Sequence, residues 1–358
     1  MINFNCQSLS QLKEKISSSK YTFDKPKEFK IPRGIITASG TVDRLRDSYV
    51  SIKMLRDTGC KLPIELFYAD EKEITKSQRC IFNELNVNCI NIQSHSPFEV
   101  YNARNFSIKA VAVYLSKFKE FIWMDSDVIP LVNFETLFYN NQYHNYGYFF
   151  NNDLWSFKKL ETVYTEKIHK LIKILKDDEE YKIPAGSPEL DSGLFLLNRE
   201  KLPFKFFDIL LLLNLNHNLI YNKVCYGDKY TFQITLRILF DVFYYNISHP
   251  AVIGVKADGF LCGNGMVIKH ESNNIAVHMT LRSLSQLKKM DVFKNINPWT
   301  HYIEEPIRFH SPRVKILHQI TTPYYEYENI YMKEINSSIQ NAQVNMLKYY
   351  KYIYNIIN

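Results

Sequence analysis

Hydrophobic and polar positions along this chain switch between the period of a strand and that of a helix. The sharpest run is Phe121-Ile122-Trp123-Met124, which leads straight into Asp125-Ser126-Asp127. An uninterrupted apolar tetrad reads as a strand buried on both faces, the pattern of a parallel sheet. Upstream, 34–39 predicts a first strand. Leu45, Tyr49, Ile52 and Leu55 then mark the buried stripe of a helix closed by Gly59 after Arg56. Strands over 64–69 and 87–92 bracket a helix over 73–85. Ile108, Val111, Ala112 and Leu115 give the i, i+3, i+4, i+7 stripe of a helix over 105–118. Strands alternating with helices of this length imply an α/β chain of βαβ units, with a Rossmann-like, mostly parallel sheet flanked by helices.

That order places Thr37, Ala38 and Ser39, Ala69 and Asp70, and Asp125 to Asp127 along one sheet edge. Open α/β sheets bind ligands at the carboxyl ends of their strands. Downstream the pattern is more mixed. Strands are expected over 147–150 and 193–197, a helix over 228–240, and a late strand over 275–279 that carries His278. Beyond about Thr300 the periodicity weakens until 338–358, a Tyr-rich, Lys-bearing helix. The expected organisation is a leader over 1–32, one α/β domain over 33–300 and a helical C-terminal extension over 301–358.

Composition narrows the classes of function. The chain has 358 residues, 46% hydrophobic and 23% charged, which is ordinary for a globular protein. A formal net charge of +7 favours anionic ligands such as nucleotides. No basic run is interleaved with aromatics, so no nucleic-acid partner is expected. The six cysteines form no C-x-x-C pair and read as free thiols of a reducing compartment. The first thirty residues are polar, without the apolar core of a signal peptide. The window 206–220 carries Asp208, Asn214, Asn216 and His217, and is too short and polar to span a bilayer. A soluble, cytoplasmic chain without a transmembrane segment is the expectation.

Two carboxylates at a sheet edge suit a divalent cation, because hard cations take oxygen ligands and also hold substrate phosphates. Asp127 is the principal candidate ligand, with Asp125 on the metal or on a ribose. The bland reading is a strand-end Asp-x-Asp that caps the next turn. Gly263 and Gly265 predict a loop that closes on a diphosphate. The tyrosines of 324–331 and 349–354 read as core or interface, including a homo-oligomer built through the C-terminal extension, or as stacking platforms for sugars.

Several blocks carry a resemblance in their order and spacing over 34–285. They are 50–68, Phe106-Ser107-Ile108-Lys109-Ala110, the run from Trp123 to Leu131, Glu189-Leu190-Asp191-Ser192-Gly193, Tyr226-Gly227-Asp228-Lys229-Tyr230-Thr231-Phe232, and Phe260-Leu261-Cys262-Gly263-Asn264-Gly265-Met266. Together they resemble the fungal α-1,3-mannosyltransferase family and, more distantly, the glycogenin-like retaining glycosyltransferases. The resemblance implies a GT-A fold and a glycosyltransferase. It would move a hexose from a nucleotide-diphosphate sugar to a glycan or glycoprotein hydroxyl, with retention and with Mn²⁺ or Mg²⁺. GDP-mannose is the implied donor, and a UDP-sugar (glucose, galactose or N-acetylglucosamine) is the alternative.

On this resemblance His278 is the third metal ligand, with His270 as its competitor. Lys109 and Arg282 contact the nucleotide or its phosphates, although a solvated lysine is the equal alternative for Lys109. Thr37, Ala38, Ser39, Asp125 and Ser126 line the nucleotide-sugar site. Asp191 and Asp228 face the sugar, Asp228 holding donor hydroxyls or an oxocarbenium-like centre and Asp191 orienting donor or acceptor. The family's usual membrane anchor is missing from the sequence, so the Golgi lumen is expected only where an anchor precedes it. Tyr230 stands where an Asp is common, and Asp191 where the family has Glu. Two readings of other classes remain at this stage. One is a haloacid dehalogenase-like phosphohydrolase, disfavoured because three strands precede Asp125. The other is a sugar-nucleotide or glycan binder without turnover.

Overall fold

The stripes and runs of the first third form the elements they predict. In the computed structural model, helix α1 (Leu9–Ser17) precedes strand β1 (Ile31–Ala38). Then come α2 (Val42–Asp57), β2 (Ile64–Tyr68), α3 (Lys76–Glu84), β3 (Val87–Asn91), α4 (Ser107–Leu115) and β4 (Phe118–Met124). The structure describes residues 5–18, 29, 31–95, 106–156, 163–184, 187–221, 223–225, 227–241, 243–244, 246, 248–257, 260–279, 299–303, 314–317, 320–323, 325–327 and 333–357. β1 pairs in parallel with β2 and with β4, and β2 with β3. Side chains alternate across this sheet, and both faces are buried. Ile35, Ile122 and Leu66 lie in one core, and Ile36, Phe121 and Trp123 in the other. Burying each such side chain contributes roughly 1.5–3 kcal/mol.

The chain leaves this sheet after Met124 and, three residues later, enters a second one as β5 (Val128–Pro130). It continues through α5 (Asn141–Tyr146), β6 (Tyr148–Ser156), α6 (Val163–Lys176), β7 (Pro188–Asn198), α7 (Phe204–Leu215), α8 (His217–Ile220) and α9 (Lys229–Leu239). Next come β8 (Ala251–Ala257), β9 (Phe260–His270), β10 (Asn273–His278), β11 (His301–Ile303), β12 (Val314–Leu317), β13 (Ile320–Pro323), β14 (Tyr325–Tyr327), β15 (Lys333–Glu334) and α10 (Ser337–Ile356). The main sheet has the order β3-β2-β1-β4-β7-β6, in which β7 runs antiparallel to both β4 and β6. The second sheet has the order β15-β11-β8-β9-β10-β5, with β14 added to β9. An α/β fold with a mostly parallel central sheet is therefore present.

Two features depart from the pattern reading. Gly263 and Gly265 are not in a loop but inside β9, where Gly263 pairs with Gly254 and Gly265 with Ile253. Residues beyond 300 supply strands to the second sheet before the helix begins, with β11 pairing with β8 and β15 with β11. Helix α10 then packs on α2. Tyr352 stacks on Tyr49 at 6.1 Å, and Arg46 Nε donates to the carbonyl of Ile357 at 2.8 Å. Among the described residues no helix is long and apolar enough to cross a membrane. The described cysteines Cys6, Cys60, Cys80, Cys89 and Cys225 are free.

Candidate functional site

Strand pairing brings the distant parts of the site together. β10 runs antiparallel to β5 with His278 opposite Val128, and Met279 N donates to the carbonyl of Asp127 at 3.0 Å. His278 is thereby set beside the Asp-Ser-Asp that ends β4. One ligand atom from each of Asp125, Asp127 and His278 lies within 4.8 Å of the others. His278 Nε2 faces Asp127 Oδ1 at 3.5 Å, while Nδ1 lies 2.9 Å from Asp191 Oδ1. The second carboxylate oxygen of Asp127 pairs with Arg44 at 2.8 Å. Trp123 Nε1 donates to Asp125 Oδ1 at 2.7 Å. Each prospective ligand thus has a neighbour that fixes its orientation.

A buried ion-pair cluster adjoins this group. Lys109, 5% exposed, lies 3.0 Å from Asp125 Oδ2 and 2.8 Å from Asp228 Oδ2. Its ammonium also donates to the Ser192 carbonyl at 2.9 Å. Asp228 stands at the N-cap of α9, but its side chain makes no capping bond and turns to Lys109 instead. The helix start is held by the Asp228 carbonyl, which accepts from Thr231 Oγ1 at 2.6 Å.

The charges set the proton affinities. Burial works against the Lys109 charge, but Asp125 and Asp228 outweigh it and raise its pKa above the ordinary value. Desolvation pushes the Asp125 carboxyl up to about 6 despite Lys109. At Asp127 burial acts upward as well, yet the His278 hydrogen bond and charge, with Arg44, hold it well below the usual carboxylate range. His278 is raised well above its ordinary value because Asp191 and Asp127 together overcome its burial.

The remaining expected site residues are placed as follows. Thr37 and Ala38 end β1 and Ser39 follows it, and Thr37 Oγ1 is buried with no hydrogen-bond partner among the described residues. Ser126 is buried, and its carbonyl accepts from Ser51 Oγ at 2.7 Å. His270, at the far end of β9, lies 3.0 Å from Asn140 Nδ2 and packs on Phe149, away from Asp127. Gly265 backs onto the His278 carbonyl, 3.4 Å from where a Cβ would stand. Arg282 lies outside the described residues.

Sequence reasoning did not single out Arg44, Trp123, Ser192 or Gly193. Lys229 also joins Asp153 at 2.8 Å and Glu189 at 2.5 Å, and Tyr230 Oη donates to Glu189 at 2.9 Å. Tyr230 therefore completes a second charged cluster on the same side of β7.

The donor set fits a hard or borderline divalent cation such as Mn²⁺ or Mg²⁺. With metal–ligand bonds of roughly 2.1 Å, adjacent ligands of an octahedral ion stand about 3 Å apart. That is close to the spacing of His278 Nε2 and Asp127 Oδ1. Asp191 Oδ2, buried and with no hydrogen-bond partner among the described residues, adds negative potential behind the imidazole.

The family model described as "Mannosyltransferase putative" matches residues 32–270. Over 280 residues the chain is 25% identical to "Putative alpha-1,3-mannosyltransferase MNN14" of Candida albicans, covering 69% of this chain and 39% of that protein. It is 33% identical over 141 residues to alpha-1,2-mannosyltransferase MNN21 of the same species, covering 35% of this chain and 21% of that protein. The chain thus spans about two fifths or less of the length of these relatives. Among solved structures, the mannosyltransferase Ktr4p of S. cerevisiae matches with a TM-score of 0.37 at 12% identity, over 62% of this chain and 72% of Ktr4p. The galactosyltransferase LgtC, with donor and acceptor sugar analogs, matches with a TM-score of 0.38 at 16% identity, over 60% of this chain and 73% of LgtC. With a family model running over more than half of its residues, the chain belongs to this mannosyltransferase family.

Proposed function

We propose that this chain is a metal-dependent retaining glycosyltransferase of GT-A type that transfers mannose from GDP-mannose to a glycan or glycoprotein hydroxyl. The observation that carries the reading is the Asp125, Asp127 and His278 set at the carboxyl end of β4, beside the buried Lys109–Asp228 pair. Family membership supports the sugar. The relatives' names include both α-1,3 and α-1,2 linkages, so the proposal extends to an α-mannosyl bond and not to its position.

In the reaction the bond from the anomeric carbon to the leaving phosphate oxygen breaks, the acceptor oxygen takes its place, and the acceptor's hydroxyl proton passes to the departing diphosphate. Negative charge builds on the departing diphosphate. A divalent cation held by Asp125, Asp127 and His278 would act there as a Lewis acid. Lys109 and Arg44, both beside this group, add positive charge where the phosphates would lie. Asp228 is the acid suited to hold donor hydroxyls, because its pairing with Lys109 fixes it beside the metal-ligand set. Thr37 Oγ1, buried at the end of β1 with no hydrogen-bond partner among the described residues, would be the group there to meet the nucleotide.

A thermal-shift panel of GDP-mannose and UDP-sugars, with and without MnCl₂, tests the reading on the wild type and on Asp127→Ala. Ligand at 100 times Kd stabilises a folded protein by about 2.7 kcal/mol. A Mn²⁺-dependent rise with GDP-mannose, lost in Asp127→Ala, is expected. A rise confined to UDP-sugars reassigns the donor, and no rise with any sugar nucleotide overturns the proposal.

A further inference from the structure

We propose that Asp191 is a positioning residue that fixes the tautomer and orientation of His278, and not a group that touches the sugar. This rests on reading Asp125, Asp127 and His278 as a metal site. Asp191 is 3% exposed and lies on β7, in the main sheet, whereas His278 ends β10 in the second sheet. The bond between His278 Nδ1 and Asp191 Oδ1, 2.9 Å long, spans the two. An imidazole that coordinates through Nε2 must carry its proton on Nδ1. Donating that proton to a carboxylate locks the tautomer and makes Nε2 a better ligand. The geometry has this sense, since Nε2 is the nitrogen that faces Asp127.

The backbone of the same strand is shaped to receive the ring. A Cβ built on Gly193 would stand 2.4 Å from His278 Cε1 and 2.5 Å from Nδ1, so the imidazole occupies the space a side chain would take. The Gly193 carbonyl accepts from Asp125 N at 2.8 Å, and the Ser192 carbonyl accepts from Lys109. Three consecutive residues of β7 therefore orient His278, Lys109 and Asp125 in turn. To reach a sugar, Asp191 Oδ1 would have to abandon His278 and leave a buried imidazole without its acceptor.

The test is titration of MnCl₂ alone, without nucleotide, by calorimetry on the full chain, with metal-free melting curves in parallel. Losing such an outer partner typically weakens metal binding 10–100-fold. Asp191→Ala is expected to fall in that range. Asp191→Asn keeps an acceptor but loses the charge, and is expected to lose several-fold with little change in melting temperature. Asp127→Ala abolishes binding. Wild-type affinity in Asp191→Asn and Asp191→Ala overturns the proposal while the metal site stands. A wild-type chain that binds no Mn²⁺ overturns both. Should Asp191→Ala fail to fold, Asp191→Asn decides alone.

Discussion

Glu65 lies in the middle of β2 with its side chain 2% exposed. Burial raises its pKa above the ordinary 4.5, with Ser116 and the Lys117 backbone pulling the other way. A carboxyl whose folded pKa is raised favours the native state in its protonated form. Its stabilisation is full below pH 4.5 and is lost as pH rises through the folded-state value. Glu65→Gln stays neutral throughout. Melting curves of the two proteins should coincide near pH 4 and separate toward pH 7, with the variant higher, and a variant that melts lower at pH 7 refutes this. Lys109 and Arg44 show why the site was only partly legible in the sequence. Hydropathy takes every charge as solvated, but a charge that finds a partner can be buried. Lys109, beside an apolar stripe, reads equally well as solvent-facing, and nothing in Asp43-Arg44-Leu45-Arg46-Asp47 singles out Arg44. Their partners are 16 and 83 residues away. Asp125 and Asp127 were legible because an apolar strand aims them at a sheet edge.

At the scale of elements, α2 shows how a local signal serves a distant site. Its N-cap, Thr41, accepts from Arg44 N at 3.2 Å, and the same Arg44 reaches across to Asp127. In α3, Thr75 and Gln78 form a capping box with no link to the site. Each threonine cap contributes about 1 kcal/mol. Thr41→Ala and Thr75→Ala should therefore lower stability to urea by similar amounts. Only Thr41→Ala should also weaken Mn²⁺ binding, because it loosens the turn that carries Arg44. Equal Mn²⁺ affinity in the two variants would detach Arg44 from the site. Strand β9 is the element the sequence hid most completely. Gly263 and Gly265 are turn formers by propensity, yet pairing with β8, and for Gly263 also with β14, holds them extended. In a strand glycine weakens local preference, and cross-strand neighbours decide.

For the whole molecule, the βαβ half was legible because short crossovers leave few topologies open. The second sheet was not. Its strands come from 128–130, 251–278 and beyond 300, and no local period records which of them will pair. The direction of β7 was hidden too, since a strand buried on both faces carries no mark of parallel or antiparallel pairing. This topology has a consequence for how the molecule comes apart. Asp125 follows a strand of one sheet and His278 ends a strand of the other, so an ion held between them would be a rivet across a seam. Opening of β8 to β10 away from the main sheet would first have to expel it. A protease that attacks the opened state should accordingly cut the region from 251 to 278 more slowly when MnCl₂ is present. Asp127→Ala should be cut at the same rate with and without the salt.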